Sequence, residues 1–128
     1  MSRYSVVNLK EVEDVAGPRV PEIEGRFARE LLESRELGIS YFRYAPGFRA
    51  LNGHSHREQE EAYVVLAGAG KAKLDDEIIE LRQWDVLRVA PEVVRAFESG
   101  PQGLEFIAIG SSRPEGGDGV PKPDFWTD

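Results

Sequence analysis

The chain has 128 residues, a formal net charge of −7, no cysteine and two histidines. That length suits one domain burying roughly two-thirds of the surface its unfolded chain exposes. The lack of cysteine excludes a disulfide framework and a thiolate metal site. The acidic balance argues against general affinity for nucleic acid or anionic membranes, both of which rely on Lys and Arg neutralising phosphate.

The opening, through Val15, spreads its charges and has no continuous apolar run, so it reads neither as a secretory signal nor as an anchor. No stretch approaches the ~18 apolar residues of a membrane span, and a cytoplasmic protein is the simplest expectation. Pro18 and Pro21 break the chain, after which Phe27–Leu32 and Leu37–Tyr44 read as the first core strands, the second closed by Pro46-Gly47. Glu61–Leu66 is rich in β-branched and aromatic residues and stops at Gly68 and Gly70. Lys71–Leu74 and Ile78–Leu81 flank the polar pair Asp75-Asp76 as a hairpin. Val86–Val89 runs to Pro91, and Val94–Phe97 and Leu104–Ile109 are two further strands separated by a turn over Ser99–Gly103. Short strands at this spacing, without an amphipathic helix between them, predict an all-β fold, an antiparallel β-sandwich or small β-barrel with its core over about residues 22–110. Residues 111–128 are Gly/Pro-rich and expected to be irregular. They end in Phe125-Trp126, an aromatic pair expected to pack on the barrel or on a neighbouring subunit.

The two histidines, His54 and His56, are separated by one residue. On a strand, residues two apart share a face, so both imidazoles would enter one space, with Glu61 following. Two imidazoles and a carboxylate form the ligand set of many mononuclear metal sites that keep open positions. The competing reading is a pair of hydrogen-bonded interior histidines.

These residues resemble the first motif of the cupin superfamily: a glycine, His-x-His, three or four residues, Glu, six residues and a glycine. Gly47, His54-Ser55-His56, Glu61 and Gly68 follow that order, with six residues in place of about five before His54. The spacing to Gly68 selects Glu61 over Glu60. Glu58 and Gln59 are then expected in a solvated turn. The second motif, in QWDVLRVAPEVVRAFESG, departs from the pattern. Trp84-Asp85 stands where Gly-Asp is usual, Pro91 is retained with Glu92 after it, and Arg95 holds the place of the third ligand histidine. Arginine offers no lone pair. A guanidinium about 5 Å from a divalent cation would be repelled by on the order of 6 kcal/mol at an effective dielectric near 20.

The resemblance implies a jelly-roll cupin with the site inside the barrel. It implies one divalent ion (iron, manganese, nickel or zinc) on His54, His56 and Glu61, and a homodimer paired through its sheets. A small anionic organic molecule is the expected ligand, for dioxygenase, isomerase or decarboxylase chemistry. The alternative is a non-catalytic module that binds a small ligand without a catalytic metal. Arg95 is either a rim arginine in a salt bridge or an inward group holding the anion. Tyr63, Phe42 and Phe97 are expected at the ligand, with Tyr63, two residues past Glu61, the best placed. Trp84 reads as a surface or interface contact, with a ligand contact as the alternative.

Overall fold

A computed structural model of the chain describes residues 3–128. Eight strands carry the fold: β1 (Ile23–Phe27), β2 (Gly38–Tyr44), β3 (Gly53–His56), β4 (Glu61–Leu74), β5 (Glu77–Arg82), β6 (Val86–Val89), β7 (Arg95–Gly110) and β8 (Gly119–Lys122). All pairings are antiparallel within one sheet, which runs β1-β2-β7-β3-β8, while β4 pairs with β5, β6 and β7. This is the all-β architecture expected. No helix among the described residues is long and apolar enough to cross a membrane.

β4 and β7 pair along nearly their whole lengths, from Glu61↔Gly110 to Leu74↔Arg95. Two runs read as separate in the sequence are thus joined in each strand. Gly68, Gly70, Gly100 and Pro101 look like local stops, but the pairing absorbs them as register shifts between Val65 and Ala67 and between Gly68 and Gly70. Such irregularities bend a strand and sharpen its twist. Only glycine fits at the bend. Gly68 has a φ of 75°, and a Cβ there would lie 2.1 Å from the Gly103 carbonyl oxygen.

The register builds interior rows across β2, β7 and β4. Phe42 faces Phe106 and then Val65; Ser40 faces Ala108 and then Tyr63; Gly38 faces Gly110 and then Glu61. Along each strand the alternating pleat sends these residues to one face. The core forms around Tyr44, Tyr63, Val65, Phe97, Leu104 and Phe106.

Two further expectations are corrected. Phe27–Leu32 is not a strand: β1 ends at Phe27, and Arg29–Leu32 forms one helical turn, α1. Glu33 ends that turn in the left-handed region at φ 54°, its amide donating to the carbonyls of Arg29 and Glu30. A residue so placed reverses the chain after a single turn. The segment after Ser111 is not wholly irregular either, because β8 adds to β3 through four registered pairs, Gly53↔Lys122 to His56↔Gly119.

The aromatic pair at the end packs on the barrel. Phe125 is buried; Lys73 donates to its carbonyl oxygen at 2.9 Å and lies 3.7 Å over its ring. The Trp126 indole donates to the Ala50 carbonyl, and the Arg49 guanidinium stacks 4.1 Å over its ring. Gly53, at the start of β3, makes room for this arrangement, since a Cβ there would stand 2.7 Å from the Phe125 ring.

Candidate metal centre and cavity

β3 and the first residues of β4 bring His54, His56 and Glu61 together, so that one donor atom from each lies within 4.8 Å of the others. Glu61 Oε1 is the meeting point. It is 3.1 Å from His56 Nε2 and 3.6 Å from His54 Nε2, and it accepts a 2.5 Å hydrogen bond from the Tyr63 hydroxyl. Metal–ligand bonds of roughly 2.0–2.2 Å put adjacent donors about 3.0–3.5 Å apart in tetrahedral or octahedral shells. The two histidine–carboxylate separations match that spacing, and the donor set could hold one divalent ion. The half-exposed side chain of His54 faces the opening, while His56 and Glu61 lie deeper.

Electrostatics keep Glu61 ionised. Burial pushes its carboxyl up, but the contacts from His54 and Tyr63 and the charges of His56 and Arg95 outweigh burial and hold it at about 2. Tyr63 moves the other way. Burial, with the Glu61 charge beside it, pushes the phenol well above its ordinary range, so it remains a hydrogen-bond donor.

Asp118, immediately before β8, completes the cluster and was not a sequence candidate. Its buried Oδ1 lies 2.8 Å from His56 Nδ1, and its Oδ2 accepts the backbone amides of Glu58 and Gln59, each at 2.8 Å. Burial raises this carboxyl, yet the bonds from Glu58, His56 and Gln59 prevail and hold it at about 2. A carboxylate that takes the Nδ1 hydrogen fixes the tautomer and leaves the Nε2 lone pair facing a metal. A single aspartate in a Gly/Pro-rich segment carries no periodicity to betray it.

Next to this cluster opens a cavity of about 500 Å³, whose wall includes Phe42, Phe97, Phe106, Tyr44, Tyr63 and Ala108. Volumes of this order suit small organic ligands. Phe42, Phe97 and Tyr63, expected at the ligand, all line it, as do His54, His56 and Glu61. Gln59 differs from expectation: it is 5% exposed and lines the cavity, its side-chain amide donating to the Ser111 carbonyl. It lies two residues before Glu61, and that parity was the available signal. Glu58 is exposed, as expected. Trp84 sits outside the cavity in a left-handed turn, 69% exposed.

Arg95 occupies neither of its two expected places. It is fully buried and pairs across the sheet with His54, yet it does not line the cavity. Its Nη2 turns to the Ala90 carbonyl at 3.1 Å, and its Nε and Nη1 have no hydrogen-bond partner among the described residues. The charge is still felt at Glu61 and Tyr63.

No protein-family model matches the chain, and no curated protein does. Solved structures match it closely in shape. A cupin protein from Bacteroides fragilis is 23% identical, with 90% of this chain and 89% of that one covered and a TM-score of 0.73. The polyketide cyclase RemF from Streptomyces resistomycificus is 18% identical over 97% of this chain and 87% of its own, with a TM-score of 0.74. A sugar phosphate isomerase of the cupin superfamily from Silicibacter pomeroyi is 16% identical over 86% and 77%, with a TM-score of 0.68. Rows of interior residues across β2, β7 and β4, a bent pair of long strands and this agreement in shape lead to one conclusion: the chain has the cupin fold.

Proposed function

We propose that this protein is a metal-dependent enzyme acting on a small anionic organic molecule inside the barrel. The observation that carries the reading is the convergence of His54, His56 and Glu61 on one point at the edge of an aromatic-walled cavity. These three side chains would hold one divalent ion: iron, manganese, nickel or zinc. Bound there, the ion supplies Lewis acidity to a substrate oxygen. The remaining tasks fall to the chain itself. Asp118 holds the Nδ1 hydrogen of His56, and the Tyr63 hydroxyl, donating to Glu61 Oε1, fixes which carboxylate oxygen turns to the histidines. Phe42, Phe97 and Phe106 keep water from the inner wall. Neighbours of the same fold are named as a cyclase and as an isomerase, so the fold leaves the reaction type open.

Elemental analysis of protein purified without a nickel-affinity step, beside His54→Ala, tests the site. Near-stoichiometric metal in the wild type, lost in a variant that keeps its β circular dichroism, is the expected result. Wild type that stays metal-free after incubation with excess iron, manganese and zinc would overturn it.

One observation favours a second reading, a non-catalytic ligand-binding module. The buried Arg95 places a fixed positive charge near Glu61 and so supplies part of the countercharge a metal would otherwise provide. In that reading Arg95→Met raises metal affinity, because a repelling charge is removed.

A further inference from the structure

The row that ends at Glu61 is unlike its neighbours. Its other two members are glycines, Gly38 and Gly110, so that the interior lacks side chains where the rows beside it carry Ser40 and Ala108, then Phe42 and Phe106. Two polar side chains from elsewhere fill the gap. A Cβ on Gly38 would stand 2.5 Å from Arg29 Nη2 and 3.0 Å from its Cζ and Nε, and a Cβ on Gly110 would stand 2.4 Å from Gln59 Nε2. The guanidinium of Arg29 and the amide of Gln59 thus lie over bare backbone, and both donate to the Ser111 carbonyl, at 3.1 and 2.8 Å. Both line the cavity.

Arg29 has no ion-pair partner among the described residues, and the Ser111 carbonyl takes one of its five N–H donors. The other charged groups at this end are Arg113 and Glu30, 4.0 Å apart. They offset one another and leave Arg29 as the uncompensated cation. Two rows deeper than Arg29 and Glu61, past Ser40 and Ala108, the cavity wall is aromatic. Phe42 stacks on Phe106 with centroids 5.3 Å apart and planes at 28°, and the edge of Phe27 meets Phe42 at 5.4 Å. Two strand spacings separate Gly38 from Glu61, roughly 10 Å.

We infer that the cavity takes a flat, conjugated carboxylate about one ring and a short arm long, whose carboxylate is held by Arg29 beside Gln59 while its other end lies towards His54, His56 and Glu61. The inference rests on the reading of the cavity as a small-molecule site and names its substrate class. It also moves the anion-binding role from Arg95, which does not line the cavity, to Arg29, which does. A planar guanidinium fork matches a carboxylate in two parallel hydrogen bonds, and a charge-assisted pair discriminates an acid from its neutral amide.

The test compares cinnamate with cinnamamide by calorimetric titration of chelator-treated, metal-free protein. Because no metal is present, a failure of the donor cluster in the elemental analysis and a failure here are separate results. Wild type is expected to bind cinnamate roughly tenfold or more tightly than cinnamamide, the scale of one charge-assisted hydrogen bond. Arg29→Gln should erase that preference while cinnamamide binding stays the same, and Arg29→Lys should restore part of it. Gly38→Ala, which pushes the guanidinium off its bed without removing it, should weaken cinnamate alone. Equal affinity for the two probes in wild type, no binding of either, or a preference that survives in Arg29→Gln would each overturn the inference.

Discussion

Residues 8–26 and residues 111–128 both wrap the sheet, each including residues of an end strand, β1 or β8, and each covering outer surface, and they meet it differently. The first segment closes over the outer face of β2. Lys10 lies 4.6 Å over the Tyr41 ring and binds Glu24, Arg26 donates to the Val12 carbonyl, and Asp14 accepts the amides of Ala16, Gly17 and Gly25. None of these side chains lines the cavity. The second segment also covers outer surface, with Phe125 against Lys73 and Trp126 against Arg49, but between them it sends Asp118 to His56. One wrap holds the barrel together, while the other holds the barrel and the site at once. Damage to the first should therefore cost stability alone, and damage to the second should cost both.

Phe125→Ala breaks the double role most severely. Emptying a buried phenylalanine site costs about 3 kcal/mol or more, read as a shift in the urea midpoint. Metal affinity should fall with it, because Gly53 and the histidine strand rest on that ring. Unchanged metal affinity would show that β3 stands without the tail. Asp118→Asn sharpens the contrast. The amide oxygen can still accept from Glu58 or Gln59, but the ionised partner of His56 is gone, and roughly 10–100-fold weaker zinc binding is expected for loss of such an outer carboxylate. Zinc titration by calorimetry measures it, and an unaltered affinity would remove Asp118 from the site.

Val12→Ala examines the other wrap. Removing two buried methyl groups should lower stability by about 1.5 kcal/mol at roughly 0.8 each, with zinc affinity equal to wild type; a change in affinity would mean that the two wraps are coupled. The smallest effect belongs to Glu24. Its bond from Lys10 leads the causes that hold its carboxyl below the ordinary range. A carboxyl depressed in the folded state stabilises the fold at neutral pH and loses that contribution as pH falls through its lowered folded value. Glu24→Gln should thus be less stable than wild type at neutral pH, and the gap should close in acid. A gap that is constant with pH would mean the contribution is not ionic.

Much of the interior was legible because β structure writes its faces in alternation. His54, His56, Glu61 and Tyr63 share a parity with their neighbours across the rows, and the structure brings them together. Three things escaped for different physical reasons. The joins within β4 and β7 are tertiary: Gly68 and Pro101 carry turn chemistry, and only the pairing of the two strands overrides it. Asp118 acts from 62 residues beyond its histidine, a distance no local pattern spans. Arg29 was hidden in a run read as a strand: Arg29–Leu32 is made of helix-favouring residues, but four residues are too few to show a helical period, and Glu33 in the left-handed region ends the turn there.

The pairing of β3 has a consequence in time. On the β7 side it is registered only at His54↔Arg95, whereas β8 contributes four pairs. Contacts between distant segments form late, once the loop between them has been closed by other structure. The strand that bears both histidines therefore depends for most of its pairing on a segment more than 60 residues further along the chain, and we expect it to dock after β4 and β7 have joined. In the metal-dependent reading proposed above, an ion would therefore find its donor strand fully paired only once β8 is in place, and loading would follow folding instead of nucleating it.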